Sequence, residues 1–174
     1  MTLSKRLAAA MAALLGRPPA RAGAPAVERV VDAPATPPRQ SERERLYTAV
    51  VESSEDAIVT KTLDGIVTAW NPAAERMFGY PPHEMIGKSI ETIVPDDRRE
   101  ELRALLARLK RGEHIQPFET VRLRRDGRRI DVSLSVSPVK SETGEIIGAA
   151  KIARDITNRR KAQNDLMREI EERR

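Results

Sequence analysis

Asp64 to Tyr80 reads DGIVTAWNPAAERMFGY, and these residues decide the fold. Asp64-Gly65 is a turn pair flanked by apolar residues, Ile58 and Val59 upstream and Ile66 and Val67 downstream. That pattern predicts a β-hairpin. The second strand stops at Trp70, where Asn71-Pro72 follows at once. An Asn side-chain oxygen caps a helix N-terminus, and Pro is pre-set for the first helical turn. Ala73 to Met77 are good helix formers, and Gly79 ends the run. One stretch thus specifies strand, turn, strand and a short capped helix.

Upstream, Ser41-Glu42-Arg43-Glu44 has the pattern of a capping box. Leu46, Ala49, Val50 and Ser53 then share one face of a helix ending near Ser54, and a strand follows from Ala57 to Thr62. Downstream, Pro81 to Val94 predicts short helical turns, with Gly87 as a stop and Ser89 as a new cap. The longest core helix starts at Pro95-Asp96-Asp97. Its Leu102, Leu105, Leu106 and Leu109 stand at i, i+3, i+4 and i+7, and Lys110-Arg111 at its end suits the helix dipole. Gln116 to Arg125 and Arg128 to Val139 predict two strands joined at Asp126-Gly127. In the second strand Ile130, Val132, Leu134 and Val136 alternate with Asp131, Ser133, Ser135 and Ser137, so one face is expected inward and the other outward. Ile146 to Asp155 makes the last strand, and Thr157 is placed to cap a final helix from Asn158 to Arg174. The segregation of strands and helices predicts an α+β layered fold.

The run from Val67 to Tyr80 resembles the start of a PAS domain, a family whose members carry a similar I-T-x-W-N-x-A-A-E-R-x-F-G-Y stretch. Trp70 and Asn71 are its structural markers. Three further matches follow in family order. Glu84-Met85-Ile86-Gly87-Lys88 resembles the family's E-x-I-G-K helix end, Arg125-Asp126-Gly127 its late hairpin turn, and Asp155-Ile156-Thr157 the D-I-T before its exit helix. The resemblance implies a five-stranded antiparallel sheet in the order 2-1-5-4-3, with short helices and one long helix on one face. It divides the chain into a disordered basic tail (1–40), an N-terminal flanking helix (41–55), the PAS domain (56–157) and a C-terminal signalling helix (158–174).

The net charge of +5 lies mostly in that tail: residues 1 to 40 hold six basic and two acidic groups, the remaining 134 hold 25 and 24. A nearly neutral folded part argues against nucleic acid as its partner. Gly16 to Gln40 holds six of the twelve prolines and reads as an extended linker. Three readings of residues 1 to 15, MTLSKRLAAAMAALL, stay open: a secretory signal, a helix at a membrane surface, and a frayed helix of no consequence. The apolar run falls short of the ~20 residues of a membrane span. A cytoplasmic location is expected, with an N-terminus peripheral to the membrane as the alternative.

No catalytic constellation is legible. The two histidines, His83 and His114, have no triad or metal-ligand spacing and are expected at the surface, and the glycines stand singly at turns. The chain has no Cys. In light-sensing members of the family a Cys after the E-x-I-G-K turn forms the flavin adduct, and the matching position is Ile90, so a covalent flavin adduct is excluded. Haem-binding members place a His early in the long helix, where this chain reads Arg98 to Leu102 without one. No residue excludes a non-covalent flavin. Met85, Ile90, Leu102, Leu105, Val121, Val132 and Leu134 would line a cavity in a PAS arrangement, or simply fill the core. With no charged residue among them, a ligand held there is expected to be small and mostly apolar, or planar. Arg122, Arg124, Arg125, Arg128 and Arg129 are expected largely on the solvent face of their hairpin, offset by Glu119, Asp126 and Asp131 and without aromatic stacking residues.

The leading reading is a sensory and regulatory PAS module that forms homodimers and relays a signal through its flanking helices, with Asp155, Ile156 and Thr157 as the relay joint and a downstream signalling domain or protein as partner. The alternatives are the N-terminal sensor fragment of a larger histidine kinase and a ligand-free interaction adaptor. The last helix still reads Glu-Ile-Glu-Glu-Arg-Arg at Arg174, which leads us to expect a continuation. No enzymatic activity is expected on this chain.

Overall fold

The opening hairpin forms as its residues dictate. In the computed structural model, which describes residues 42–173, the Gly65 N–H donates to Thr62 O (3.0 Å) and the Thr62 N–H to Ile66 O (2.8 Å). Gly65 turns the chain at φ 85°, where a side chain would be strained. The hairpin joins β1 (Ala57–Lys61) to β2 (Val67–Trp70). Asn71 then caps α2 (Pro72–Phe78), its side chain accepting from the Ala74 N–H, and Gly79 closes the helix in the left-handed conformation. The expected tail, the three readings of residues 1–15, the Ser41 cap and Arg174 lie outside the described residues.

The remaining elements are α1 (Glu42–Ser53) before the hairpin, then α3 (Pro82–Met85), α4 (Arg99–Lys110), β3 (Ile115–Leu123), β4 (Arg129–Lys140), β5 (Ile146–Asp155) and α5 (Thr157–Glu172). Two 3-10 turns, Ile90–Ile93 and Asp96–Arg98, precede α4. All strand pairs are antiparallel, in the order β2-β1-β5-β4-β3, which is the expected order. Both sheet edges are blunted. Along β2 the Val67 N–H donates to Lys88 O (2.9 Å) and the Gly87 N–H to Val67 O (2.8 Å), so the connecting segment covers that edge. On β3 an irregular register between Ile115 and Phe118 brackets the exposed Pro117, a residue that edge strands tolerate.

One face of the sheet carries the core. Ala57, Val59, Ala149, Ala153, Val132 and Leu134 line it, and Phe78 of α2, Met85 of α3, Ile90, and Leu102, Leu105 and Leu109 of α4 cover it. On the other face α1 rests through Val51, which packs on Ile58 beside Ala69 and Ile152. The face of α1 read from sequence, with Leu46 and Val50, is exposed. The strict alternation of β4 fails at one place: Ser137 is buried, not outward, because His114 folds onto it, with His114 Nδ1 2.8 Å from Ser137 Oγ and 3.1 Å from Val136 O. His114 is therefore half-buried, while His83 is exposed as expected.

Candidate functional site

The concave face is not the apolar lining that the sequence led us to expect. Of the seven residues named for it, Met85, Ile90, Leu102, Leu105, Val132 and Leu134 lie in the core. Val121 is a correction: it is only half-buried and pairs in register with Asp131, while its neighbours Thr120 and Arg122 pair with core-facing Val132 and Ile130. The one-residue difference exchanges an apolar side chain for a guanidinium. Arg122, expected among solvent-facing arginines, is 2% exposed.

Two further cations accompany it. Lys61 at the end of β1 and Lys151 in the middle of β5 are 3% and 2% exposed. Lys61 stands two residues beyond Val59 on the same face, and Val59 pairs with Lys151. The lysines are therefore diagonal neighbours, with backbones roughly 7–8 Å apart. Lys151 owes its space to the small side chains of Ala149 and Ala153 on either side, and its Nζ lies 5.3 Å from the centre of the Phe78 ring, a cation–π contact. Gly148 brings β5 so close that a Cβ there would stand 2.5 Å from Lys61 O. Neither lysine Nζ has a hydrogen-bond acceptor among the described residues.

Arg122 is satisfied where the lysines are not. One terminal nitrogen donates to Glu101 Oε1 at 2.9 Å, and Thr120 Oγ1 donates to the same carboxylate at 2.8 and 3.0 Å. Glu101 reaches in from α4 beside a cleft of about 450 Å³ between α4 and β3, lined also by Leu105, Arg108, Ile115 and Phe118. That carboxylate is the partner of Arg122 and not of either lysine. Desolvation lowers Arg122, though Glu101 offsets part of it. Burial first, and the charge of Arg122 second, bring Lys61 down to about 8. Lys151 is held well below the ordinary lysine value by burial, then by Lys61 and Arg122. The sequence held one signal of this: both lysines occupy inward positions of apolar strands, AIVTK and IIGAAKIARD.

The flanking helices are rooted at the same end of the sheet, where Ala57 of β1 pairs with Ala153 of β5. Asn71 is the hub of the α1 root. Its Oδ1 accepts from the Ile58 and Ala74 N–H groups at 2.9 Å, and its Nδ2 donates to Val51 O at 3.0 Å and Asp56 O at 3.1 Å. One buried amide makes four bonds to α1, the α1–β1 link, β1 and α2, which is its full capacity. Trp70 beside it donates through Nε1 to Tyr80 O at 2.9 Å and tilts against Phe78.

The Asp155-Ile156-Thr157 joint differs from its reading. Thr157 was expected to cap α5, yet the capping contact comes from Asp155, whose Oδ1 accepts the Thr157 N–H at 2.9 Å. The Ile156 N–H donates to Asp131 O at 2.9 Å, carrying the sheet pairing past the end of β5. That turns the Thr157 hydroxyl onto β4, where it accepts from the Asp131 N–H at 3.1 Å. Ile156 is buried, as an anchor should be. Asp131, read in the sequence only as an outward residue offsetting the arginines, also receives Arg160 of α5 at 2.8 Å. Arg154 donates to both oxygens of Asp56 at 3.0 and 2.8 Å, linking the two roots. Hydrogen bonding to these carboxylates raises both Arg154 and Arg160. The rest of the arginine run is also engaged: Arg124 donates to Met77 O, Arg125 meets Glu84, Arg128 meets Asp126, and Arg129 holds Asp97 with two bonds.

Known proteins share this architecture. The chain is 31% identical over 122 residues to the signal transduction histidine-protein kinase AtoS of Escherichia coli, covering 70% of this chain and 20% of that kinase. It is 30% identical over 124 residues to the sensor histidine kinase TmoS of Ectopseudomonas mendocina, covering 71% and 13%. The chain thus spans a fifth or less of these relatives. Among solved structures, a PAS domain from Colwellia psychrerythraea superposes with a TM-score of 0.60 at 25% identity, covering 66% of this chain and 97% of that one. An RNA-binding light-oxygen-voltage receptor gives 0.62 at 21% identity, over 82% and 41%, a likeness of fold alone. The family profile described as the PAS fold matches residues 51–161, so the chain belongs to the PAS-fold family.

Proposed function

We propose that the chain is a sensory and regulatory module that dimerises through α1 and α5 and relays a change in its core to a downstream signalling domain, in the manner of a histidine-kinase sensor. The observation that carries this reading is the shared root of the two helices. They leave the same end of neighbouring strands, joined by the Arg154–Asp56 pair. Each exposes apolar side chains that the domain leaves uncovered: Leu46 and Val50 on α1, Leu166, Met167 and Ile170 on α5. Self-complementary patches of this kind suit two-fold dimers, the commonest soluble oligomers. The similarity to kinases of which the chain spans a fifth or less supports an output held elsewhere. The reading keeps catalysis off this chain, the module in the cytoplasm and the relay at Asp155, Ile156 and Thr157.

By the family resemblance Ile90 stands where light-sensing members carry their adduct-forming cysteine, and the sequence has no Cys, so the reading includes no light-driven cysteinyl adduct. Sedimentation tests the dimer. Wild type should sediment as a dimer at micromolar concentration, and Leu46→Glu with Leu166→Glu as a folded monomer. A monomer in both, or a dimer in both, would defeat the reading.

A further inference from the structure

We infer that Lys61 and Lys151 form the head of a binding site for a small organic carboxylate with an apolar body, seated between the sheet and the helices that cover it. Two buried amino groups without a hydrogen-bond acceptor are unsatisfied, and a proton on either is a charge with no counter-ion beside it. Arg122 does not relieve it and spends its own charge on Glu101. The groups around the pair fix the class of ligand. Val59, Ala149, Ala153 and Phe78 offer an apolar wall, and a carboxylate between the two Nζ atoms would supply the missing acceptors. Inorganic phosphate lacks the apolar body. The cleft between α4 and β3 shares Leu105 and Ile115 with the core cluster that holds Ala149. The site deepens the sensory reading and rests on it for its use, but its chemistry stands on the interior alone.

Burial, then the charge of Arg122, makes both lysines easier to deprotonate, and Lys61 adds to this for Lys151. A bound carboxylate opposes that shift, so binding draws in protons and weakens as pH rises. Among the described residues, the charged group facing the pair from its surroundings is Arg122 on β3, whose own partner is Glu101 on α4. The inward residues of β4 and α2, Ile130 to Val136 in alternation and Phe78, are uncharged.

The test is calorimetry on the 174-residue chain with benzoate, phenylacetate and hexanoate, each against its neutral amide, with inorganic phosphate as a further control. We expect at least one carboxylate to bind, with proton uptake read from buffers of different ionisation heat, and with affinity falling at least threefold from pH 7 to 9. Lys61→Met and Lys151→Met should each cost tenfold or more, and the exposed Lys140→Met nothing. Nζ resonances of the wild type, followed through a pH titration with and without benzoate, give the same answer should a variant fail to fold: both lysines should titrate higher when it is bound. The inference is overturned if none of the three carboxylates binds at millimolar concentration, if the amides or phosphate bind equally well, or if the Lys61→Met, Lys151→Met double variant binds unchanged. None of these results depends on dimerisation, and loss of the site leaves the relay through α1 and α5 standing.

Discussion

The two flanking helices are rooted by opposite means. The α1 root is a buried, neutral amide whose four hydrogen bonds reach four separate segments of the chain. The α5 root is a set of single contacts near the surface: Asp155 accepts the Thr157 N–H, and Asp131 of β4 accepts from the Ile156 N–H through its backbone and from Arg160 through its carboxylate. A buried polar group is costly to leave unpaired, whereas exposed ion pairs contribute little each. The domain therefore holds its N-terminal helix as part of the fold and its C-terminal helix as an attachment. A change in the core of modest size would move the second before the first, because a shift between two states needs only as much energy as separates them.

The largest test of that contrast is Asn71→Ala. It removes the α2 cap and orphans the Ile58 and Ala74 N–H groups together with two carbonyls, and we expect a loss of about 4 kcal/mol, read as a lower urea midpoint for the whole domain. A loss confined to α1 would mean that Asn71 holds the helix and not the fold.

Alkaline pH separates the core from the α5 root. The unfolded chain keeps the Lys61 proton up to the ordinary lysine value, whereas the folded chain releases it from about 8 upward. Between those values the unfolded state binds more protons, so stability rises with pH, and Lys151 acts in the same direction. From pH 7.5 to 10 Lys61 alone should contribute about 2 kcal/mol, and Lys151 adds to that gain. Urea midpoints for wild type and for Lys61→Met with Lys151→Met measure it, and the variant should show a flat profile. A flat wild-type profile would show that both lysines keep the proton in the folded chain.

A smaller effect is expected from Asp155→Ala with Thr157→Ala, about 1 kcal/mol, seen as faster hydrogen exchange confined to α5 while Ile130 to Val136 stay protected. Equal loss in the sheet would make this joint a foundation like Asn71 and erase the difference between the roots. The smallest is Arg154→Ala. Its partner Asp56 is partly exposed and Arg154 mostly so, and the cost should stay within about 0.5 kcal/mol at low salt and vanish at 0.5 M salt.

Local chemistry was legible in the sequence because it is written in neighbouring residues. The Asp64-Gly65 hairpin, the Asn71 cap, the Gly79 stop and the leucine stripe of α4 each need only a few consecutive positions. The strand order came from the resemblance and not from the pattern. What sequence reading missed lies across the sheet. Asp131 and Arg160 are 29 residues apart, and Asp56 and Arg154 are 98 apart; nothing local pairs them. The cap of α5 was assigned to Thr157 because hydroxyls cap helices, but strand pairing at Ile156 had already turned that hydroxyl toward β4. The charged interior was missed for a different reason. Lys61, Arg122 and Lys151 each close or interrupt an apolar alternation, and charged residues at such positions read as surface until the register is known.

The placement of β1 beside β5 has a mechanical consequence. The chain enters β1 and leaves β5 at one end of this antiparallel pair, so a force drawing the termini apart loads the Ala57–Ala153 rung first and the Lys61–Ala149 rung last. Antiparallel hydrogen bonds lie across the strands, and a pull along them parts the bonds in succession, as a zipper opens, and not all at once in shear. Tension along α1 and α5 would thus peel the domain from the corner that holds its two helix roots, reach Lys151 at the middle rung and Lys61 only at the end. The domain is compliant to a pull that separates its two flanking helices.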